Sequence, residues 1–422
     1  MNVIFKEHLQ IPYCLTETPT ELKKAKLKFS YSPQPVDDEI FVWQHPLLTA
    51  SDITKQDLDW NIFEEEPVFF NSPQKESLLP FDIFSFSFYL LTRYEEYLPH
   101  SKDKHGRFPA TGSIAFQHDF LHKPLVDILV LKFIEKLKQH LPELNYKLKK
   151  TEYLATYDID NAYAYKHKGL CRSVGGLLKN VIRFDFKEVT NRLNVLIRSK
   201  SDPFDSYDYI RSLQEQYQHE TIYFILFSKT GDFDRGLNPG NKHFHLLIKK
   251  LDKETTVGIH PSYASATDKI QLQKEISGLS DVVQRKITSA RSHFLLLNFP
   301  ETYQRFIENG IEVDYTLGYA DWAGFRASTC KPFHFFDLTE NKETSLKLFP
   351  LAYMDGTLQG YMKLSEKEGL NMIKQLIDAV YSVSGTFISL WHNETLGKKS
   401  WKEWQKAYKQ SLDYFSGKQN HQ

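Results

Sequence analysis

The pattern of apolar and polar positions changes near residue 150. Before that point, short strand-like runs are separated by proline-rich turns, and two helical segments stand out. Residues 81–96 form an aromatic-rich run whose apolar positions fit a buried helix. From Pro124 to about His140, Leu125, Ile128, Leu129, Leu131, Ile134 and Leu137 recur at helical spacing. Residues 141–150 read as a linker. Beyond it, β-rich runs alternate with helical segments, which is the pattern of βα units and of a parallel sheet or barrel. The expected strands are 153–157, 221–227, 256–259, 311–315, 324–326, 346–351 and 386–391. Between them Pro300 opens a helix that Gly310 closes. Ser365 and Glu368 form a capping box ahead of Leu370, Ile373, Leu376, Ile377 and Val380 on one face.

The polar residues fall at the ends of these runs. Asp158-Ile159-Asp160-Asn161 follows the first, His260-Pro261-Ser262-Tyr263 the third, Arg326 closes the fifth, and His392-Asn393 follows the last. In a parallel (β/α) barrel the C-terminal strand ends share one face, where active sites are built. Each residue alone has a structural explanation: an Asx turn for the acids, a hydrogen-bonding histidine before proline, a surface or ion-paired arginine, a packed edge beside Trp391. Their placement at corresponding ends of successive strands is what points to function.

Composition narrows the field. A chain of 422 residues accommodates two domains, here read as 1–150, a smaller α/β domain, and 151–420. Lys plus Arg equals Asp plus Glu at 53 each, so no net field recruits nucleic acid or an anionic membrane. The start of the chain lacks a signal-peptide pattern, and no apolar run approaches the roughly 20 residues of a membrane span. Cys14, Cys171 and Cys330 are odd in number and far apart, which suggests neither a disulfide framework nor a thiolate zinc knot. A soluble cytoplasmic protein is the expectation.

Four segments carry a family resemblance. Thr156-Tyr157-Asp158-Ile159-Asp160 resembles the first motif of the polysaccharide deacetylase (NodB-homology) superfamily, and Gly258-Ile259-His260-Pro261-Ser262-Tyr263 the second. Gly324-Phe325-Arg326-Ala327 resembles the third and Leu390-Trp391-His392-Asn393 the last. Before them, residues 82–96 and Gly106-Arg107-Phe108-Pro109 resemble an uncharacterised domain found ahead of the catalytic domain in some bacterial members. The resemblance implies a distorted (β/α)7 barrel that binds a divalent ion and deacetylates a carbohydrate. It makes Asp160 and His260 metal ligands, Asp158 the general base, Arg326 the residue that orients Asp158, and His392 the general acid.

Two positions depart from the family pattern. Ala264 stands where a second motif histidine is usual, and Asn393 where an acid often follows the last histidine. A catalytic zinc normally has three protein ligands plus water, so a replacement is needed. His293 is the first choice; His243 and His245 are second choices, better read as ordinary loop or core histidines. Asn393 would steady the His392 ring. Tyr263, Trp322 and Trp391 are the residues considered for stacking on a sugar. The ion would be zinc, with cobalt, manganese or nickel also compatible with a mixed Asp/His site. The rival readings are a metal-free amidohydrolase on the same fold, a non-catalytic carbohydrate-binding scaffold, and, last, a glycosidase pairing Asp158 with Asp314 or Asp355.

Overall fold

β-branched and aromatic runs, which pack well on a pleated surface, become the strands of the computed structural model, which describes residues 1–36, 39–197 and 199–419. Residue 420, the expected end of the second domain, lies outside them. The strands are β1 (Ser30–Ser32), β2 (Phe41–Trp43), β3 (Asn61–Phe63), β4 (Glu66–Val68), β5 (Glu152–Ile159), β6 (Glu220–Ile225) and β7 (Thr256–Ile259). They continue with β8 (Ser289–Ala290), β9 (Val313–Asp314), β10 (Phe333–Asp337), β11 (Lys342–Leu348), β12 (Tyr353–Met354) and β13 (Thr386–His392). From β5 onward they form one sheet in the order β10-β11-β9-β8-β7-β6-β5-β13-β12. Every seam of that sheet is parallel except β10/β11, an antiparallel pair.

Helices cross between the parallel strands, among them Tyr207–Tyr217, Lys242–Glu254, Lys269–Val283 and Glu366–Ser382. The last carries the expected capping box of Ser365 and Glu368. β5 is buried along almost its whole length, as a strand covered on both faces must be. On one face its neighbours pack on the crossing helices. On the other, Leu154, Ile222, Phe224, Ile388 and Leu390 close around Leu295, Tyr315 and Leu351. Side chains alternate along a strand, so Asp158, two and four residues beyond Thr156 and Leu154, faces this second, inner side.

Two expectations are corrected here. Residues 324–326 are not a strand but part of a loop, and the two-residue β8 occupies the ladder instead. A two-residue strand has no periodicity to read. The distorted (β/α)7 barrel is met only in part: a large, mostly parallel sheet forms, but its strand order is open, and β10 folds back on β11 at one edge. Between β11 and β12 the chain donates Leu351 N to Leu317 O at 2.9 Å and Ala352 N to Ile388 O at 3.0 Å. That short segment bridges the β9 and β13 flanks. Among the described residues, no helix is long and apolar enough to cross a membrane.

The N-terminal region has its own aromatic-rich core, with Phe69, Phe70, Phe81, Phe84, Phe86 and Tyr89 packed near Leu129 and Phe133 of helix Leu125–His140. Asp82 caps helix Ile83–Leu91 by accepting from Phe84 N and Ser85 N. The chain then turns at Arg93, φ +55°, and presents a buried ion-pair network to the second region. Glu96 accepts from Arg93 Nε at 2.8 Å and from Arg326 Nε and Nη2 at 2.9 and 2.5 Å. At the same seam Gly324 has φ +136°, and a Cβ there would lie 2.5 Å from Leu121 O. Only glycine lets the two backbones approach so closely.

Removing one member of a buried ion-pair network typically costs about 3–5 kcal/mol, because the partner charges stay buried and uncompensated. Glu96→Gln is therefore expected to lower unfolding free energy by about that amount in denaturant titration. A change under about 1 kcal/mol would mean that Arg93 and Arg326 do not depend on Glu96.

Candidate metal and catalytic centre

Strand register brings the polar positions together. Asp158 of β5 lies opposite His392 of β13, and Ile159, Ile225, Ile259 and Ala290 form one row across β5 to β8. Asp160, His260 and Arg291 each stand one residue beyond that row. The ladder persists there, with His260 N donating to Ile225 O and Arg291 N to Ile259 O.

Asp160, His260 and His293 each offer one ligand atom, all within 4.8 Å of one another. His260 Nε2 lies 3.3 Å from Asp160 Oδ1 and 3.6 Å from Asp158 Oδ2, and His293 Nε2 lies 3.5 Å from Asp160 Oδ2. The outer nitrogens have other partners. His260 Nδ1 donates to Arg291 O at 2.6 Å and His293 Nδ1 to Asp234 Oδ1 at 2.8 Å. A proton on Nδ1 leaves Nε2 facing inward, the arrangement of a metal-ligating histidine. His260 Nε2 and Asp160 Oδ1 are buried 3.3 Å from each other and hydrogen-bond to no group beyond this contact. Buried polar atoms are normally paired, so these two fit a cation, and the Asp-His-His set suits a divalent ion with an open position. Burial lowers the basicity of His293, but Asp160 and Asp234 outweigh it and raise the imidazole to about 9. A cation would compete with that proton.

His293 begins a short turn, His293–Leu295, just after β8, with its N–H bonded to Pro261 O. The next two residues, Phe294 and Leu295, have φ of +59° and +51°. Left-handed backbone costs a non-glycine residue roughly 1–2 kcal/mol. The turn is held from the N-terminal region, where Arg107 Nη1 donates to Phe294 O at 2.6 Å and Asp103 fixes the same guanidinium. Asp234 was missed from sequence, and Arg107 stood only within the Gly106–Pro109 segment, with no role attached to it. Both lie in loops without periodicity, and nothing local marks either as a partner of this turn.

Arg326 does not hold Asp158. Its Nη1 donates to Gly318 O at 3.0 Å and the rest of its guanidinium is taken by Glu96. Arg291 occupies the expected role, donating from Nη1 to Asp158 Oδ1 at 3.2 Å and from Nε to Tyr315 O at 3.0 Å. The loop that replaces the expected strand 324–326 carries Arg326 to the seam with the N-terminal region instead.

Nor does Asn393 steady His392. The Asn393 amide donates to Asn161 O and Phe204 O. Asp355 binds the ring, Nδ1 to Oδ1 at 2.7 Å, and accepts from His392 N at 3.0 Å. His392 Nε2 then points inward, 3.8 Å from Asp160 Oδ2. Burial lowers this imidazole, but Asp355, with Asp160 and Asp158, raises it to about 10. Asp314 accepts from Tyr303 and from Thr316 N and Oγ1. Both acids weighed as partners of Asp158 in a carboxylate pair thus have other work.

The aromatic positions divide. Trp391 is fully buried, with Nε1 bonded to Tyr353 OH at 2.9 Å and its ring on Tyr408, so it cannot meet a sugar. It faces the helix side because it alternates with His392. Trp322 is partly exposed and meets Phe116 edge-on at 4.9 Å. Tyr263 stacks on exposed Phe233 at 4.2 Å and lies edge-on to Phe294 beside the His293 turn. His243 stacks on His167, and His245 bonds Pro239 O.

Residues 1–142 match the model of a family described as one of unknown function, DUF7033. No curated protein matches the chain. Among solved structures, one similar to this chain is a putative polysaccharide deacetylase from Mycobacterium smegmatis, 12% identical, covering 65% of this chain and 86% of that one, with TM-score 0.42. A probable polysaccharide deacetylase from Pseudomonas aeruginosa PAO1 is 9% identical and covers 63% and 84%, with TM-score 0.36. The 4-alpha-glucanotransferase from Thermococcus litoralis is 14% identical and covers 64% and 38%, with TM-score 0.34.

Proposed function

We propose that this chain is a metal-dependent hydrolase that removes the acetyl group from an N-acetylated sugar, releasing acetate and a free amine. The observation that carries the reading is the inward-facing trio of Asp160, His260 and His293, with two buried ligand atoms that hydrogen-bond to nothing outside the trio. These three residues would hold a divalent ion, zinc first. Bound there, such an ion supplies Lewis acidity toward an amide carbonyl and toward water.

Around it the protein's own groups divide the proton work. Arg291 occupies Asp158 Oδ1 and leaves Oδ2 turned toward the His260 edge of the site. Asp158 Oδ2 is the atom placed to take a proton from the attacking water. Asp355 holds His392 protonated and aims Nε2 inward, so that His392 donates to the departing amine. A neutral amine leaves far more readily than an amide anion, which is why the acid is needed. Tyr263 and Phe233 offer an aromatic wall for a sugar face.

Metal analysis on protein purified without added metal or chelator is expected to find close to one ion per chain. It should fall at least about tenfold in His260→Ala and His293→Ala. No ion in the parent protein, even after reloading, would sink the reading, while loss in His260→Ala alone would remove His293 from the site.

Asp158→Asn should keep its metal and lose turnover by a factor on the order of 10²–10⁴, the usual contribution of a general base. Lost metal together with lost activity would make Asp158 a ligand rather than the base, and retained activity without metal would overturn the metal dependence itself.

His392→Ala should lose about as much on an N-acetyl substrate, yet little on an aryl acetate whose leaving group needs no proton. Equal losses on both would show that His392 is not the acid.

A further inference from the structure

Helices Leu170–Ile182 and Phe186–Leu196 form a hairpin between β5 and β6. A helix of a globular protein buries an apolar stripe against its core. Here Val195 is the one buried residue among the described side chains of the two helices. Val174, Leu178, Val181 and Ile182 recur at helical spacing on the first, and Phe186, Leu193 and Ile197 do so along the second; all are exposed. Every residue of the connecting tip, 181–187, is exposed, and Phe184 is 80% accessible. Exposed single apolar residues need no explanation, but a contiguous patch marks an interaction surface.

Charge says what covers it. The whole chain balances 53 basic against 53 acidic residues, yet residues 170–197 hold five basic residues and two acidic ones. Lys179, Arg183 and Lys187 are exposed around the phenylalanines of the tip. The acids are otherwise engaged, Asp185 as the cap accepting from Glu188 N and Glu188 as acceptor of Tyr165 OH. A second copy of the same face would bring these cations together, which disfavours self-association through it. Apolar residues ringed by Lys and Arg, on helices too short to span a bilayer, are the composition of an element that lies in the interface of an anionic membrane.

The hairpin also meets the loop that carries Asp234. Arg172 donates to Arg235 O and Gly236 O, next to Asp234, which holds His293. Arg192 stacks over Tyr165 at 4.7 Å and fixes the second helix to the body. We infer that the 170–197 hairpin docks the protein on an anionic lipid-bilayer surface, with the Phe184–Phe186 tip inserted among the headgroups.

The test is vesicle flotation of the full chain with phosphatidylcholine vesicles and with vesicles containing 30% phosphatidylglycerol. The parent protein is expected to float with the anionic vesicles and to be released by high salt. Phe184→Ser with Phe186→Ser, and separately Lys179→Gln with Arg183→Gln and Lys187→Gln, should each weaken binding at least tenfold. All five positions are exposed, so melting temperature and metal content should hold. Light scattering on the same samples supplies the rival outcome: a parent dimer dispersed by the phenylalanine variant would overturn the inference in favour of self-association. Binding to neither vesicle, or equal binding by parent and variants, would overturn it as well.

Discussion

Asp160 stands 3.3, 3.5 and 3.8 Å from the inner nitrogens of His260, His293 and His392. Burial alone would raise this carboxyl, but His293, His260 and His392 hold it well below the usual carboxylate range. The surrounding structure serves this convergence. Each imidazole can face Asp160 only because its outer nitrogen is engaged elsewhere: by the Arg291 carbonyl, by Asp234 and by Asp355. Those three acceptors come from three different loops, and without them the rings are free to turn away. Orientation of this kind is as much a part of a metal site as its ligands.

The N-terminal region is bound into the same arrangement. Glu96 draws Arg326 out of the centre and into a buried network with Arg93, while Arg107 grips the strained turn that carries His293. One residue of a familiar-looking motif is thereby turned to holding the two regions together. Arg291, outside every recognised motif, supplies the guanidinium that Asp158 requires. Function at a site follows from which charge is close, and proximity here is decided by the seam.

Net charge is a poor guide to local surfaces in this chain. Equal numbers of acids and bases suggested no attraction to an anionic membrane, yet the balance is an average over 422 residues. The hairpin of 170–197 concentrates cations and exposed apolar side chains in one place, and only their exposure distinguishes it from an ordinary buried amphipathic pair. Amphipathic spacing reads the same whether the apolar face meets a core or a membrane.

Local sequence determined what local forces govern. The capping box of Ser365 and Glu368, helix Leu125–His140 and the long buried strands β5 and β13 could be read from spacing and residue type. So could the position of Asp158, Asp160, His260 and His392 at or just beyond strand ends, because a strand end is a local event. The tertiary structure alone decided the two-residue strands β8 and β12, the β10/β11 pair and the partners of each charged group. Pairings such as Asp158 with Arg291 and His293 with Asp234 span 133 and 59 residues. No periodicity connects positions so far apart; sheet register and loop packing bring them within hydrogen-bond distance.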